Sequence, residues 1–106
     1  MTSSAANTIP IDHMRDRYWR GTLHLFSKQP KLRGVFTIQY FNLHYRSIKA
    51  SGLKRISAPW SQSEKFMLNL ALHLYNECHK VNLCDMDYLD PNNKQLAFEA
   101  IKMRFG

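Results

Sequence analysis

Acidic residues are nearly missing from the first 60 positions, where Asp12 and Asp16 stand against ten lysines and arginines, a net of +8. Residues 61–106 carry five basic and six acidic side chains, a net of −1, so the +7 of the 106-residue chain belongs to one half. Glycine is scarce too, at four residues, and no phosphate-cradling loop, G-x-S-x-G elbow or H-E-x-x-H pair occurs. Two cysteines, Cys78 and Cys84, are too few for a disulfide scaffold, which makes a reducing, cytoplasmic setting the expectation. Long apolar runs are absent, and MTSSAANTIP has no basic head before an apolar core, so neither a membrane span nor a secretory leader is expected. The length excludes two self-sufficient cores. With 44% hydrophobic and 22% charged residues, the composition is that of a folded protein rather than a disordered one.

What is present reads mainly as helix. Residues 1–9 are small and polar without periodicity and are expected to form a flexible tail, ahead of a single helical domain over residues 10–106. From Asp12 as N-cap, Met14, Tyr18 and Leu25, with Trp19, Leu23 and Phe26 beside them, recur at helix spacing. Gly21 inside that stretch weakens the helix by about 1 kcal/mol relative to Ala. Pro30 marks a break.

Residues 32–50 carry two conflicting patterns. Phe36, Ile38 and Tyr40 alternate as in a strand, whereas Gly34, Ile38, Phe41, Tyr45 and Ile48 follow helical spacing. No second strand stands nearby as a partner, so the segment is assigned to a helix ending near Gly52. In SQSE, Ser61 and Glu64 form a capping box, followed by a stripe of Met67, Leu70, Ala71, Leu74, Tyr75 and Cys78 running to about residue 80. Asp90 and Pro91 open a last helix with Ala97, Phe98, Ile101 and Phe105 as its apolar face and Lys102 and Arg104 at its negative end. The expected fold is therefore all-α, a compact bundle of about four helices.

One stretch resembles chemistry. LHLYNECHKVNLCD, residues 72–85, gathers His73, Glu77, Cys78, His79, Cys84 and Asp85. Cys78 and Cys84 are separated by five residues, outside the spacing of paired cysteine ligands, and no second ligand pair follows. On a helix, His79 is rotated about 100° from Cys78, so these groups do not converge on one ion. Cys78 on the apolar stripe is read as an inward-facing, helix-end thiol. The acidic run DMDYLDPNN lacks the glycine and the terminal glutamate of a calcium loop. His13, His24 and His44 are scattered. The expectation is no catalytic residues, no metal and no cofactor.

The basic half offers a different role. Arg15, Arg17 and Arg20 interleave with Tyr18 and Trp19, a combination that contacts phosphates and stacks on bases; alternatively Tyr18 and Met14 belong to the core with the arginines as a wet rim. Lys28, Lys31 and Arg33 surround Pro30, Arg46 and Lys49 follow, and Lys54 and Arg55 precede Trp60. Arg15, Arg17, Trp19, Arg20, Lys28, Lys31, Arg33, Arg46, Lys49, Lys54, Arg55 and Trp60 are thus the candidate partner-binding residues. Such charge points to nucleic acid or an acidic protein surface, although solubility alone explains it equally simply. No helix-turn-helix, zinc-finger or ribonucleoprotein signature converts it into sequence reading.

Residues 58–76, APWSQSEKFMLNLALHLYN, and residues 89–106, LDPNNKQLAFEAIKMRFG, resemble the two closing helices of a family of small uncharacterised proteins from Gram-positive bacteria and their phages or mobile elements. The resemblance rests on Leu72, Leu74, Tyr75 and Asn76 and on Ala100, Ile101, Arg104 and Phe105. It covers about half the chain, and no functional residues come with it. It implies, by analogy, a stoichiometric inhibitor or regulator that occludes a host or defence protein complex, or a protein–nucleic-acid complex. A direct, weakly specific DNA- or RNA-binding protein is the alternative, and a small enzyme whose site is assembled only in space is a distant third. No membrane partner is expected.

One measurement checks the reading of residues 72–85. Purified protein should contain no stoichiometric zinc by elemental analysis, and a chelator should leave its melting temperature unchanged. One zinc per chain overturns that reading.

Overall fold

The computed structural model describes residues 16–42, 45 and 47–106. Asp16 caps the first described helix, α1 (Arg17–Lys28), by accepting the Tyr18 amide at 2.9 Å, which satisfies one of the orphan donors at a helix start. Asp12, expected as the cap, lies outside the described residues, as do Met14 and Arg15. Trp19, Leu23 and Phe26 recur at i, i+4 and i+7 and are buried, together with Thr22 and Leu25. Tyr18 is not part of this core. About 100° round the helix from Trp19, it is left 46% exposed.

Residues 32–50 do not form the expected helix. A single turn, α2 (Pro30–Arg33), gives way to turns over residues 34–40 and a two-stranded antiparallel hairpin, β1 (Phe41–Asn42) with β2 (Ser47–Ile48), in which Phe41 faces Ile48. The reason is aromatic packing. Phe36 and Phe41 both meet Phe26, at ring-centroid distances of 6.2 and 4.7 Å, and each other at 4.8 Å. Five residues apart on a continuous helix, the two rings would diverge by about 140°. Breaking the chain lets both reach one core, and β-branched Val35, Thr37 and Ile38 oppose the helix only weakly less than Gly34 does. The hairpin supplies the partner strand that the sequence did not reveal. Gly52, expected as a helix stop, lies inside α3 (Ala50–Ile56).

The second half follows its local signals more closely. In α4 (Gln62–Tyr75) the Ser61 amide donates to Glu64 Oε1 at 3.1 Å while the Glu64 amide donates to Ser61 Oγ at 3.2 Å, the full capping box. Met67, Leu70, Ala71 and Leu74 are buried as their spacing requires. The helix ends five residues early. Asn76 is extended and its side-chain oxygen accepts the Cys78 amide at 3.0 Å, a local bond that competes with continued helix. A 3-10 helix, Leu83–Tyr88, leads to α5 (Pro91–Phe105), where Asp90 Oδ1 accepts the Asn93 amide at 2.8 Å and Pro91 fills the first position. The molecule is mostly helical, as the sequence requires. No helix among the described residues is long and apolar enough to cross a membrane.

α1, α4 and α5 close around Gly21. A Cβ at that position would lie 2.6 Å from the Ala100 carbonyl oxygen and 3.1 Å from Leu74 Cδ1, so the three elements approach more closely than any side chain allows. Polar contacts follow the same seam in antiparallel order: Arg20 Nε donates to Met103 O at 2.9 Å, His24 Nε2 lies 2.8 Å from Glu99 Oε1, and Gln29 Nε2 donates to Asn93 Oδ1 at 3.3 Å. Thr22 Oγ1 donates to the Ala71 carbonyl at 2.7 Å and ties α1 to α4. Ala97 and Ala100 are therefore the fully buried apolar residues of α5, while Phe98 (60% exposed) and Phe105 (66%), expected in the core, point outward.

Gly21→Ala tests this seam by its sign. On helix propensity alone alanine stabilises by about 1 kcal/mol; against the Ala100 carbonyl it should instead destabilise by about 1–3 kcal/mol through overpacking. Urea unfolding of the two proteins reads the difference.

Candidate binding surfaces

The fold separates residues that the sequence places in one basic half. Arg17 and Lys28 stand at the two ends of α1, about 16 Å apart at 1.5 Å rise per residue. Arg15 and Arg46 lie outside the described residues. Trp19, expected to meet a partner, is instead core: it is 3% exposed, with its ring centroid 5.1 Å from that of Tyr75. Arg20 is half-buried and spends its Nε on the Met103 carbonyl, a seam contact rather than a free charge.

The remaining cations form two groups. Lys28 and Lys31 border an open groove of about 730 Å³ between the C-terminal end of α1 and the starts of α4 and α5. Lys31 Nζ lies 5.6 Å from the Trp60 ring centroid, which joins the sequence cluster around Pro30 to the half-buried tryptophan after α3. Arg33, on α2, borders a different hollow with Phe26, Ser27 and Phe36. Lys49 at the N-cap of α3 and Lys54 and Arg55 on it are exposed, and Lys54 Nζ is 3.4 Å from His79 Nδ1. Burial, and then the Lys54 charge, push the His79 imidazole below its ordinary pKa.

The groove is not uniformly positive. Glu64, Asp90 and Glu99 line it with the two lysines, and two of these carboxylates serve as helix-start partners. Glu99 accepts from His24 and, at 3.1 Å, from Gln95, which hold its carboxyl below the usual carboxylate range, the His24 contact contributing most. The His24–Glu99 pair has the composition of a base and its orienting partner, but the hydroxyls nearest it in sequence are occupied: Ser27 Oγ donates to the Leu23 carbonyl at 2.6 Å and Thr22 Oγ1 to Ala71. It is a seam contact between α1 and α5.

Residues 72–85 resolve into turns. Cys78 and Cys84 are both free and exposed, so the expectation of an inward-facing Cys78 is corrected: α4 stops before it. Each cysteine amide donates to an asparagine two residues earlier, Cys78 to Asn76 at 3.0 Å and Cys84 to Asn82 at 3.1 Å. His73 donates Nδ1–H to the His79 carbonyl at 2.8 Å and closes the loop. Among the described residues no group of three His, Cys, Asp or Glu side chains is placed to hold a metal.

A third surface was missed in the sequence. At the start of α1 and the end of α5, Arg104 Cζ lies 4.2 Å from the Tyr18 ring centroid and 4.5 Å from that of Phe105, and Arg17 Cζ lies 5.2 Å from Tyr18. Arg17 also donates to the Tyr18 hydroxyl at 3.3 Å. That hydrogen bond, with the charges of Arg17 and Arg104, lowers the Tyr18 pKa below the ordinary phenol value. The aromatic interleaving of RDRYWR was a signal for this patch, but only Tyr18 of its two rings takes part, and Arg104 comes from the other end of the chain.

Replacing either arginine should raise the Tyr18 pKa, since a nearby cation and a hydrogen bond to the phenolate both favour the charged form. Arg17→Met should raise it more than Arg104→Met, because Arg17 supplies both the bond and the larger charge effect. Titration of the Tyr18 ring carbon by NMR reads both; a pKa unchanged in the two variants overturns the arrangement. No family model, curated protein or solved structure matches this chain.

Proposed function

We propose that the chain is a non-catalytic binding protein that docks on an acidic protein surface, or on a protein–nucleic-acid complex, through the cations at the end of α1, on α2 and around α3. One observation carries this reading. Lys28, Lys31, Arg33, Lys49, Lys54 and Arg55 are exposed, and among the described residues none of them is ion-paired with a carboxylate. Their charge is held in water and remains available to a partner, whose approach it would steer. The carboxylates of Glu64, Asp90 and Glu99 beside Lys28 and Lys31 support a protein partner, because they repel a continuous phosphate backbone.

In its narrower form the protein is a phage or mobile-element inhibitor or regulator that occludes a host or defence complex in the cytoplasm. That form rests on the resemblance of residues 58–76 and 89–106 and on the two free thiols. Direct, weakly specific DNA or RNA binding is the second reading, favoured by the Lys31–Trp60 contact, which sets a cation beside an aromatic ring at a half-buried but accessible site.

Capture of partners from host lysate, with and without nuclease, separates the two. Retention after nuclease, with about tenfold slower association when Lys28, Lys31 and Arg33, or Lys54 and Arg55, are reversed to glutamate, is the expected result. The variants should keep the circular dichroism and melting temperature of the parent, since every reversed residue is exposed. Micromolar or tighter binding of bare oligonucleotides near physiological salt, falling with a slope of about −0.9 per neutralised phosphate on duplex DNA and lost on the same reversals, would make the protein a nucleic-acid binder instead.

A further inference from the structure

Phe98 and Phe105 lie on the outer side of α5, 60% and 66% exposed, and half-buried Ile101, at i+3 between them, joins them to the edge of the core. A largely exposed pair of phenylalanines on a helix of a 106-residue chain is notable when the same helix turns alanines to the core. The Gly21–Ala100 approach fixes that rotation, so the rings cannot turn inward without opening the seam.

Cations border this stripe. Lys94 precedes Phe98 by one turn, Lys102 follows it by one turn, and Arg104 covers Phe105 and Tyr18, next to Arg17. Glu99, next to Phe98 in the chain, is engaged by His24 and Gln95, and Asp16 is engaged as the cap of α1. Among the described residues none of these four cations is ion-paired. Apolar side chains at helical spacing with a positive border call for the opposite pattern in a partner. We propose that the outer face of α5 is a docking site for an amphipathic helical segment of a partner protein that carries carboxylates beside its apolar stripe. It rests on the reading of the chain as a binding protein but uses residues other than those of α2 and α3.

Other occupants fit less well. A second copy would bring the same four cations against one another in a chain of net charge +7. Nucleobases need open ring faces, whereas Tyr18 and Phe105 are already overlaid by guanidinium groups and Ile101 offers no ring. An anionic bilayer would take the charge, but the apolar part is narrow, because Ile101 is half-buried and Tyr18 sits under Arg104.

The test uses the full chain, labelled with nitrogen-15, and a synthetic helical peptide with leucines along one face and glutamates on both flanks. Saturable shifts confined to α5 and to Arg17 and Tyr18 are expected. Phe98→Ser with Phe105→Ser, and separately Lys94→Glu with Lys102→Glu, should each weaken binding about tenfold or more without changing the melting temperature. A peptide with lysine in place of glutamate should not bind. No saturable shift, or shifts at Lys28–Arg33 or Lys54–Arg55 instead, overturns the proposal while leaving the reading of α2 and α3 intact. So does any sign of another occupant on the same amides: oligothymidylate, phosphatidylserine vesicles, concentration-dependent shifts without ligand, or nuclear Overhauser contacts from Phe98 and Phe105 to residues 1–15.

Discussion

The close approach of α1 to α5 at Gly21 and Ala100 constrains what the neighbouring residues do. Two helices in such contact bury little side chain between them, so the burial that stabilises the fold must come from elsewhere. It comes from the other flank of α1, where Leu23 and Phe26 and the buried row of α4 form the core with Phe36 and Phe41. The seam itself is held by polar contacts, Arg20 to Met103, His24 to Glu99 and Gln29 to Asn93. A methyl group at position 21 would disturb all three because they share one helix spacing.

That constraint also sorts residues into structural and available. Arg20 and His24 are consumed by the seam, and Trp19 by the core. What remains available is whatever the seam turns outward: Arg17 and Tyr18 at one end of α1, Lys28 at the other, and the Phe98 side of α5. Exposed rings here are a consequence of small residues facing inward. Cations stand beside them, and among the described residues none of those cations is ion-paired with a carboxylate.

What was legible in the sequence is what short-range hydrogen bonds decide. The Ser61–Glu64 box and the Asp90–Pro91 start are satisfied within four residues, and both were readable as written. Residues 32–50 were not, because the Phe26, Phe36 and Phe41 contact that breaks the helix spans the chain from α1 to the hairpin. Gly21 appeared as a weak point, and its use is visible only once Ala100 stands against it. For the same reason periodicity misassigned α5: Phe98, Ile101 and Phe105 satisfy the helical rule as well as Ala97 and Ala100 do, and the partner decides which side is covered. The early end of α4 goes with the Asn76 side chain, which accepts the Cys78 amide, a local bond that the apolar stripe through Cys78 does not reveal.

The basic half, finally, is a property of sequence and not of shape. The backbone positions at the two ends of α1 are about 16 Å apart along its axis, about twice the Debye length of about 8 Å at physiological ionic strength. Each end therefore presents its own field, and the sum of +8 over residues 1–60 is felt as one charge only at low salt. The end near Lys28 and Lys31 is tempered by Glu64, Asp90 and Glu99 and borders a groove. The other joins Arg17 to Arg104 and to the solvated rings of Tyr18 and Phe105. Partners of different shape suit the two: a surface carrying charges of both signs at the first, an apolar ridge flanked by carboxylates at the second. Because the fields of the two ends are largely screened from one another at physiological salt, a partner at one of the two proposed surfaces would weaken the field at the other only slightly.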